Sequence, residues 1–185
     1  YFEGLVCLDM ADEAQDVIYD ELNSSLRTTI GDPLRTRISG STVDNDGNLW
    51  VNNFGTDRPI NVRTPDGEWT SFSLASCNGS NSVRSLLVDP NTGIVWIQTS
   101  NDIIAYDPKG TLNDPSDDEC RSFRGEDDGL PPADVSSMLQ DKDGVIWVGT
   151  TNGIALISCT GNPFDTNCNG FRPPIEVDGI PGFFF

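Results

Sequence analysis

The chain has 185 residues, of which 29 are acidic, 11 are basic and none is histidine, so its formal charge at neutral pH is −18. Such a charge repels nucleic acid and anionic membranes, because binding to phosphates rests on clustered lysine and arginine, and we expect no nucleic-acid partner. Without histidine the chain lacks the commonest general base and the usual nucleophile–histidine pairs, and no carboxylate pair stands out, so the sequence predicts a protein that is not an enzyme.

The first 37 residues match the later, repeated part of the chain poorly. Residues 1–8 favour a strand. Residues 11–22 favour a short helix, because acidic residues come first and apolar ones follow at Val17, Ile18 and Leu22. We therefore expect a strand and a helix before the repeats begin.

From residue 38 the chain repeats one pattern three times, namely a β-run, a turn with Asp and Gly, and a Trp between apolar residues. The tryptophans are Trp50, Trp96 and Trp147, which are 46 and 51 residues apart. A period of this length with several short strands per unit is typical of β-propeller blades. The sequence predicts an all-β fold with four-stranded antiparallel blades at residues 38–76, 80–127 and 131–174, and the start of a next blade at residues 175–185.

Three blades are too few to close a propeller, which usually needs about four to eight. We therefore expect an incomplete part of a larger ring, with the remainder of its own propeller as a partner. The alternative is a small complete domain, which would leave open blade edges that invite aggregation.

The three repeated tryptophans are predicted to be equivalent core residues. Each blade of a propeller buries both faces against its neighbours, so Trp50, Trp96 and Trp147 should lie between blades. This interpretation favours packing over ligand stacking, because burying one aromatic side chain stabilises the fold by several kcal/mol at about 25 cal/mol per Å².

Acidic residues suggest one candidate metal site. Asp114, Asp117 and Asp118, with Glu119 beside them, could supply oxygen ligands to Ca²⁺, and a solvated loop is the alternative. The turns at 44–47 and 141–144 resemble calcium loops only superficially, because neither has the downstream Glu that such a loop requires. We interpret both as hairpin turns.

The five cysteines allow two disulfides and leave one cysteine over. Cys159 and Cys168 bracket a turn-rich loop that a disulfide could close, and Cys77 and Cys120 lie near the ends of equivalent segments of adjacent blades. Cys7 remains. The alternative is five buried thiols; oxidation would indicate an export compartment.

Glycan binding would use exposed aromatic and amide side chains on loops, and ordinary packing or solvated turns are the alternative. The candidates are Asn52, Asn53, Phe54, Trp69 and Asn101. Arg27, Arg35 and Arg37 form a basic cluster that could contact an anionic polysaccharide, unless they are plain surface charges.

The third repeat identifies a family. Its core, Asp141-Lys-Asp-Gly-Val-Ile-Trp-Val-Gly-Thr150, lies within residues 129–156, and this stretch resembles the two-component-regulator propeller repeat. Residues 46–55 with 59–69, and the segment 106–118, are similar to PorZ-type proteins, which are surface components of the Bacteroidetes type IX secretion system. This second resemblance covers roughly residues 23–180.

The resemblance to PorZ-type proteins implies a non-enzymatic role at the cell surface or outer membrane. It implies that the protein presents anionic lipopolysaccharide to a sortase-like transpeptidase, with an outer-membrane β-barrel anchor as a further partner. It also implies that residues 1–37 are the remnant of a preceding blade and its connector. The alternative relatives are periplasmic propellers of hybrid two-component regulators, which respond to glycans.

Overall fold

A computed structural model describes residues 4–177 and 180–182, with side chains for residues 4–174. The fold is all-β, as the repeats predict. The strands are β1 Leu5–Cys7, β2 Val17–Tyr19, β3 Ile38–Val43, β4 Leu49–Asn53, β5 Ile60–Arg63, β6 Trp69–Phe72, β7 Ser85–Val88, β8 Val95–Gln98, β9 Ile103–Asp107, β10 Glu119–Phe123, β11 Val135–Gln140, β12 Ile146–Thr150, β13 Gly153–Ile157, β14 Ile175–Val177 and β15 Ile180–Gly182. Short 3₁₀ turns lie at Glu13–Gln15, Ala75–Cys77 and Glu126–Asp128.

Three antiparallel meanders form the blades. Blade 1 has the strand order β3-β4-β5-β6, blade 2 the order β7-β8-β9-β10, and blade 3 the order β11-β12-β13. The hairpins β1-β2 and β14-β15 flank them along the chain. These sheets are propeller blades that do not close a ring in the described part of the chain.

Blade 3 departs from the predicted four strands. In place of an outer strand it has a single antiparallel bridge between Leu156 and Phe171. Two prolines, Pro173 and Pro174, follow almost at once. Because proline has no N–H to donate to a ladder, pairing ends after one bridge.

The predicted helix at residues 11–22 is wrong. Asp9 and Asp12 accept hydrogen bonds from the backbone N–H groups of Ala11 and Ala14, at 2.8 and 3.0 Å, which favours turns over helix. The chain then forms β2, in which Ile18 pairs with Val6 of β1. Side chains of aspartate thus satisfy the backbone groups that a helix would have used.

Two clusters of buried apolar side chains lie between blades. On blade 1, Trp50 is 2% exposed and lies in one cluster with side chains of blade 2. Trp96 of blade 2 is fully buried and lies in a second cluster with side chains of blade 3. The side chains that blade 2 contributes to the first cluster include Leu86, Val95, Ile97, Ile104 and Tyr106, and those that blade 3 contributes to the second are Val135, Ile146, Val148, Ala155 and Ile157.

Trp147 does not fulfil the prediction that all three tryptophans are buried. It is 39% exposed. Its register partners, Leu139 on β11 and Leu156 on β13, place it on the face of blade 3 opposite to the one that packs on blade 2. No sheet covers that face among the side chains described, so the physical reason is the absence there of the packing partner that Trp50 and Trp96 have.

Candidate functional site

The turn that precedes Trp50 contains a hydrogen-bond arrangement that the sequence did not predict. Oδ1 of Asp44 accepts bonds from the backbone N–H groups of Asp46 and Asn48 at 2.9 and 2.8 Å. Its Oδ2 accepts the indole N–H of Trp50 at 2.8 Å. This turn is therefore held closed by Asp44, the aspartate that begins it, and the same carboxylate links the turn to Trp50.

The third repeat contains the same arrangement. Oδ1 of Asp141 accepts bonds from the N–H groups of Asp143 and Val145 at 2.9 and 3.0 Å, and Oδ2 accepts the indole N–H of Trp147 at 2.7 Å. The signal in the sequence was the constant spacing of six residues between Asp and Trp. A carboxylate reaches the indole at this distance because the tight turn folds the chain back on itself.

These hydrogen bonds lower the pKa values of the carboxyl groups of Asp44 and Asp141. Burial alone would raise the pKa of Asp44, but the bonds from Trp50, Asn48 and Asp46 outweigh it and hold the pKa below its usual value. The bond from Trp147 is the main cause that lowers the pKa of Asp141. Both carboxylates are therefore charged in the folded protein at neutral pH.

The second repeat breaks the pattern because its turn is one residue longer. Asp89 uses Oδ1 for the N–H groups of Asn91 and Thr92, while Oδ2 accepts the side-chain amide of Gln140 in blade 3 at 2.8 Å. The indole N–H of Trp96 is buried without a hydrogen-bond partner. Because of the extra residue, Asp89 bonds to Gln140 of blade 3 and not to the Trp of its own blade.

A cleft of about 540 Å³ lies between the turns of blades 1 and 2 and the loop that follows β9. Asn45 bridges the two turns by donating to the carbonyl of Pro90 at 2.8 Å. The acidic residues of the lining are Asp44, Asp46, Asp89 and Asp107, and apolar parts come from Trp50, Val88 and Leu112. Lys109, in the loop that follows β9, pairs with Asp107 at 2.9 Å. The other three carboxylates have no basic partner among the described residues that line the cleft, so its field favours cations over phosphate and carboxylate groups.

The predicted calcium ligands lie beside this cleft but do not converge. Oδ1 of Asp114 accepts bonds from the backbone and hydroxyl of Ser116, and Asp117 accepts the hydroxyl of Thr111 at 3.1 Å. Within the described residues, no three carboxylate or thiol groups come together as a metal site. Asp114 and Asp117 are each engaged by a neighbour in their own loop, which keeps the ligand set from assembling.

Asp118, the third predicted ligand, accepts a hydrogen bond from the hydroxyl of Tyr106. Burial, followed by this bond to the Asp118 carboxylate, raises the pKa of Tyr106. The pKa of Asp118 is also raised, mainly by burial and further by the charges of Asp117, Asp114 and Asp107, although the bond from Tyr106 opposes the shift. The pair ties the acidic loop to the first interblade core.

The predicted basic cluster is neutralised by aspartates. Arg27 pairs with Asp57 at 2.7 Å, and Arg37 pairs with Asp32 at 2.8 Å. Asp32 also lies 3.6 Å from Arg35. The three arginines are therefore ordinary paired charges, and they do not form a basic surface for a polyanion.

The predicted glycan-binding residues do not form one surface. Asn52 and Asn53 are fully buried, and Asn53 accepts the backbone N–H of Arg27 at 2.6 Å. Trp69 packs against Tyr19 with ring centroids 5.3 Å apart. Asn52, Asn53 and Trp69 therefore have structural contacts. Phe54 is half-buried and Asn101 is exposed.

Both predicted cysteine pairs lie at disulfide geometry. The Cα atoms of Cys77 and Cys120 are 5.5 Å apart and link blade 1 to blade 2, and those of Cys159 and Cys168 are 5.6 Å apart. Cys7 is exposed as a free thiol. Arg121 adds a polar link between blades 2 and 3, since it donates to the carbonyl groups of Pro163 and Asp165 in the loop that Cys159 and Cys168 close.

Comparison with known proteins agrees with this architecture. Residues 129–152 match the family described as two component regulator propeller. The sequence search against curated proteins gives no match. In the described part of the chain, no helix has the length and apolar character needed to cross a bilayer.

Solved structures share the fold over most of the chain. PorZ, a surface component of the type IX secretion system of Porphyromonas gingivalis, aligns over 98% of this chain with 18% identity and a TM-score of 0.81. The extracellular domain of the hybrid two component system BT4673 from B. thetaiotaomicron aligns over 97% with 21% identity and a TM-score of 0.64. This chain spans 26% of the PorZ chain and 22% of the BT4673 chain.

Enzymes are also among the similar structures. Virginiamycin B lyase from Staphylococcus aureus aligns over 78% of this chain and 43% of its own, with 19% identity and a TM-score of 0.55. A histidine-to-alanine variant of that lyase is described as catalytically inactive, and this chain contains no histidine. At 19% identity the likeness shows the fold alone. This chain is part of a β-propeller and carries a two-component regulator propeller repeat at residues 129–152.

Proposed function

We propose that this chain is a non-enzymatic, exported β-propeller module of a type IX secretion attachment complex at the cell surface. The observation that carries the proposal is the overlap with PorZ, which extends over 98% of the chain at a TM-score of 0.81. In the finer form of the proposal, the whole protein presents anionic lipopolysaccharide to a sortase-like transpeptidase, next to an outer-membrane β-barrel anchor.

The negative charge of this segment argues against direct binding of anionic lipopolysaccharide by these residues. With −18 charges, an acidic cleft and paired arginines, the segment repels the phosphates of lipopolysaccharide. We therefore assign it a scaffolding role towards protein partners, with lipopolysaccharide held elsewhere in the protein or through bound cations. Calcium at Asp117 and Asp118 stays a prediction from the sequence, and calorimetry on the protein and its D117N/D118N variant tests it.

A second candidate is a periplasmic, glycan-sensing propeller of a hybrid two-component regulator. The repeat at residues 129–152 and the likeness to BT4673 over 97% of the chain favour it. This role differs from the first in its output, since a sensor changes transcription and a secretion component changes where cargo proteins end up.

One experiment separates the two candidates. The gene is deleted in its native bacterium, and surface-anchored cargo and glycan-induced transcripts are both measured, with the intact gene restored as control. The secretion role predicts that cargo is lost from the surface while induction is unchanged. Normal anchoring with lost induction would replace the first proposal by the second.

A further inference from the structure

The two places where neighbouring turns meet between blades are built differently. The last residue of the inner strand precedes the first aspartate of each turn, and it is Val43 in blade 1, Val88 in blade 2 and Gln140 in blade 3. Between blades 2 and 3, Gln140 donates its amide N–H to Asp89 at 2.8 Å. At this place the chain itself supplies a planar N–H donor to the aspartate of the preceding blade.

Between blades 1 and 2 the chain supplies no such donor. The residue that matches Gln140 is Val88, whose side chain has no N–H group. Within the described residues, the hydrogen bonds that the Asp44 carboxylate accepts all come from blade 1, from Asp46, Asn48 and Trp50. The cleft of about 540 Å³ lies at this place, and Val88 and Asp44 both line it.

Neutral donors hold the buried carboxylates of the cleft, so their charge is not cancelled. Peptide, indole and amide N–H groups bond to Asp44 and Asp89. Asp46 is exposed at the tip of its turn, and Asp107 pairs with Lys109 at 2.9 Å. A cleft lined by one sign of charge between low-dielectric walls concentrates the field and raises the local concentration of the opposite charge.

Apolar side chains border the same carboxylates. Val43 is 61% exposed, and Val88 and Leu112 are half-buried where they pack against the first interblade cluster. The volume lies within the range of about 300–1,000 Å³ that is usual for ligand sites. The cleft therefore suits a side chain with an apolar stem and a cationic tip.

We propose that this cleft binds an arginine side chain presented by an extended segment of a partner protein. Charge complementarity selects a cation, and the apolar border selects a stem of methylene groups. The amide of Gln140 at the neighbouring interface shows the planar N–H donor geometry that a guanidinium group reproduces. Asp46, exposed and lining the cleft, is the carboxylate that pairs with it.

This inference names a partner chemistry for the proposed scaffolding role and rests on that role for its place in the cell. A metal ion fits the cleft less well, because within the described residues no three carboxylate or thiol groups come together. A guanidinium group needs no such convergence, since its five N–H donors point in several directions.

Binding can be measured on the whole chain by NMR. The probe is the tripeptide valyl-arginyl-valine with both ends blocked, and the control is the same peptide with citrulline, which keeps the shape and removes the charge. The variant Asp46→Asn removes the pairing carboxylate. Asp143→Asn is its matched control, because Asp143 is exposed at the same position of the turn in blade 3. Val88→Gln supplies the donor that blade 3 has at this place.

We expect the arginine peptide to shift the amide signals of residues 44–48, 89–93 and 107–112, and the citrulline peptide to bind far more weakly. Asp46→Asn should weaken binding about 1.5- to 5-fold, as for one exposed ion pair, and Asp143→Asn should leave it unchanged. Val88→Gln should also weaken binding, because glutamine fills the cleft. The dispersion of the amide signals reports whether each variant is folded.

Three results would overturn the proposal. One is equal binding of the two peptides, and another is an equal effect of Asp46→Asn and Asp143→Asn. The third is a set of shifts spread over the acidic surface without a focus at the cleft, or a folded Val88→Gln variant that binds as tightly as the unchanged chain.

The gene deletion tests the secretion role separately from the cleft. Binding at the cleft with normal cargo anchoring would retain this inference and discard the secretion role. Lost anchoring without binding of the arginine peptide would retain the secretion role and discard the cleft as a docking site.

Discussion

Asp44 and Asp141 make the same hydrogen bonds in different surroundings, and this difference gives a matched pair of substitutions. Asp44→Ala leaves the indole N–H of Trp50 buried without a partner, which should cost about 1–3 kcal/mol of unfolding free energy. Asp141→Ala should cost less, because Trp147 is 39% exposed and water can replace the carboxylate. Urea unfolding of both variants measures the difference. Equal losses would mean that exposure of the indole does not set the cost.

We expect the contributions of Asp118 and Asp44 to folding stability to change with pH in opposite directions. The pKa of Asp118 is raised in the folded state, so its contribution to stability is fully present below its ordinary value of 3.8 and is lost as pH rises through the folded pKa. The pKa of Asp44 is lowered, so its contribution is present above 3.8 and is lost as pH falls through the folded pKa.

Asp118→Asn should therefore raise stability, relative to the unchanged chain, more at pH 7 than at pH 3. Asp44→Asn should lower it more at pH 7 than at pH 3. Thermal unfolding at the two pH values measures both changes. A pH-independent effect of Asp118→Asn would show that its carboxyl group is not perturbed by burial and by its acidic neighbours.

The sequence predicted the packing role of Trp50 and Trp96 from their spacing alone. It could not predict the indole–carboxylate bonds, because these depend on how tightly each turn folds. Nor could it predict that Asn52 and Asn53 are buried, since asparagine side chains usually favour exposed turns. The spacing of the repeats shows which residues occupy equivalent positions in the blades. It does not show which side chains surround each of them in the folded protein.

At the scale of elements, turn length decides where polar bonds form. One extra residue in the turn of blade 2 directs Asp89 to Gln140 of blade 3. The missing outer strand of blade 3 has a similar local cause in Pro173 and Pro174. The strand β2 was missed because its apolar residues, Val17 and Ile18, suit a helix and a strand equally.

The two cysteine pairs differ in the loops they close, which span 43 and 9 residues. In the loop-entropy description, replacing Cys77 and Cys120 by Ala should cost about 4 kcal/mol, and replacing Cys159 and Cys168 about 2.5 kcal/mol. Alkylation before and after reduction comes first, and should label Cys7 alone in the native protein. Labelling of all five cysteines without reduction would exclude both bonds.

At the scale of the whole molecule, the fold followed from the period of the repeats. The exposure of Trp147 did not, because it depends on which surfaces the described residues cover after folding. Function did not follow from the period of the repeats. The described residues form an acidic cleft and polar links between blades, and propellers of many different functions could have such features. The proposed secretion role therefore rests on likeness to PorZ.

The central claim is that Trp50 and Trp96 are buried between blades, whereas Trp147 of blade 3 is partly exposed. Acrylamide quenching of tryptophan fluorescence tests it with the variants Trp50→Phe, Trp96→Phe and Trp147→Phe, in all of which Trp69 is retained. We predict that Trp147→Phe removes a large part of the quenchable fluorescence and that the other two variants remove mainly protected fluorescence. Loss of quenchable signal in Trp50→Phe or Trp96→Phe, with none in Trp147→Phe, would contradict the account.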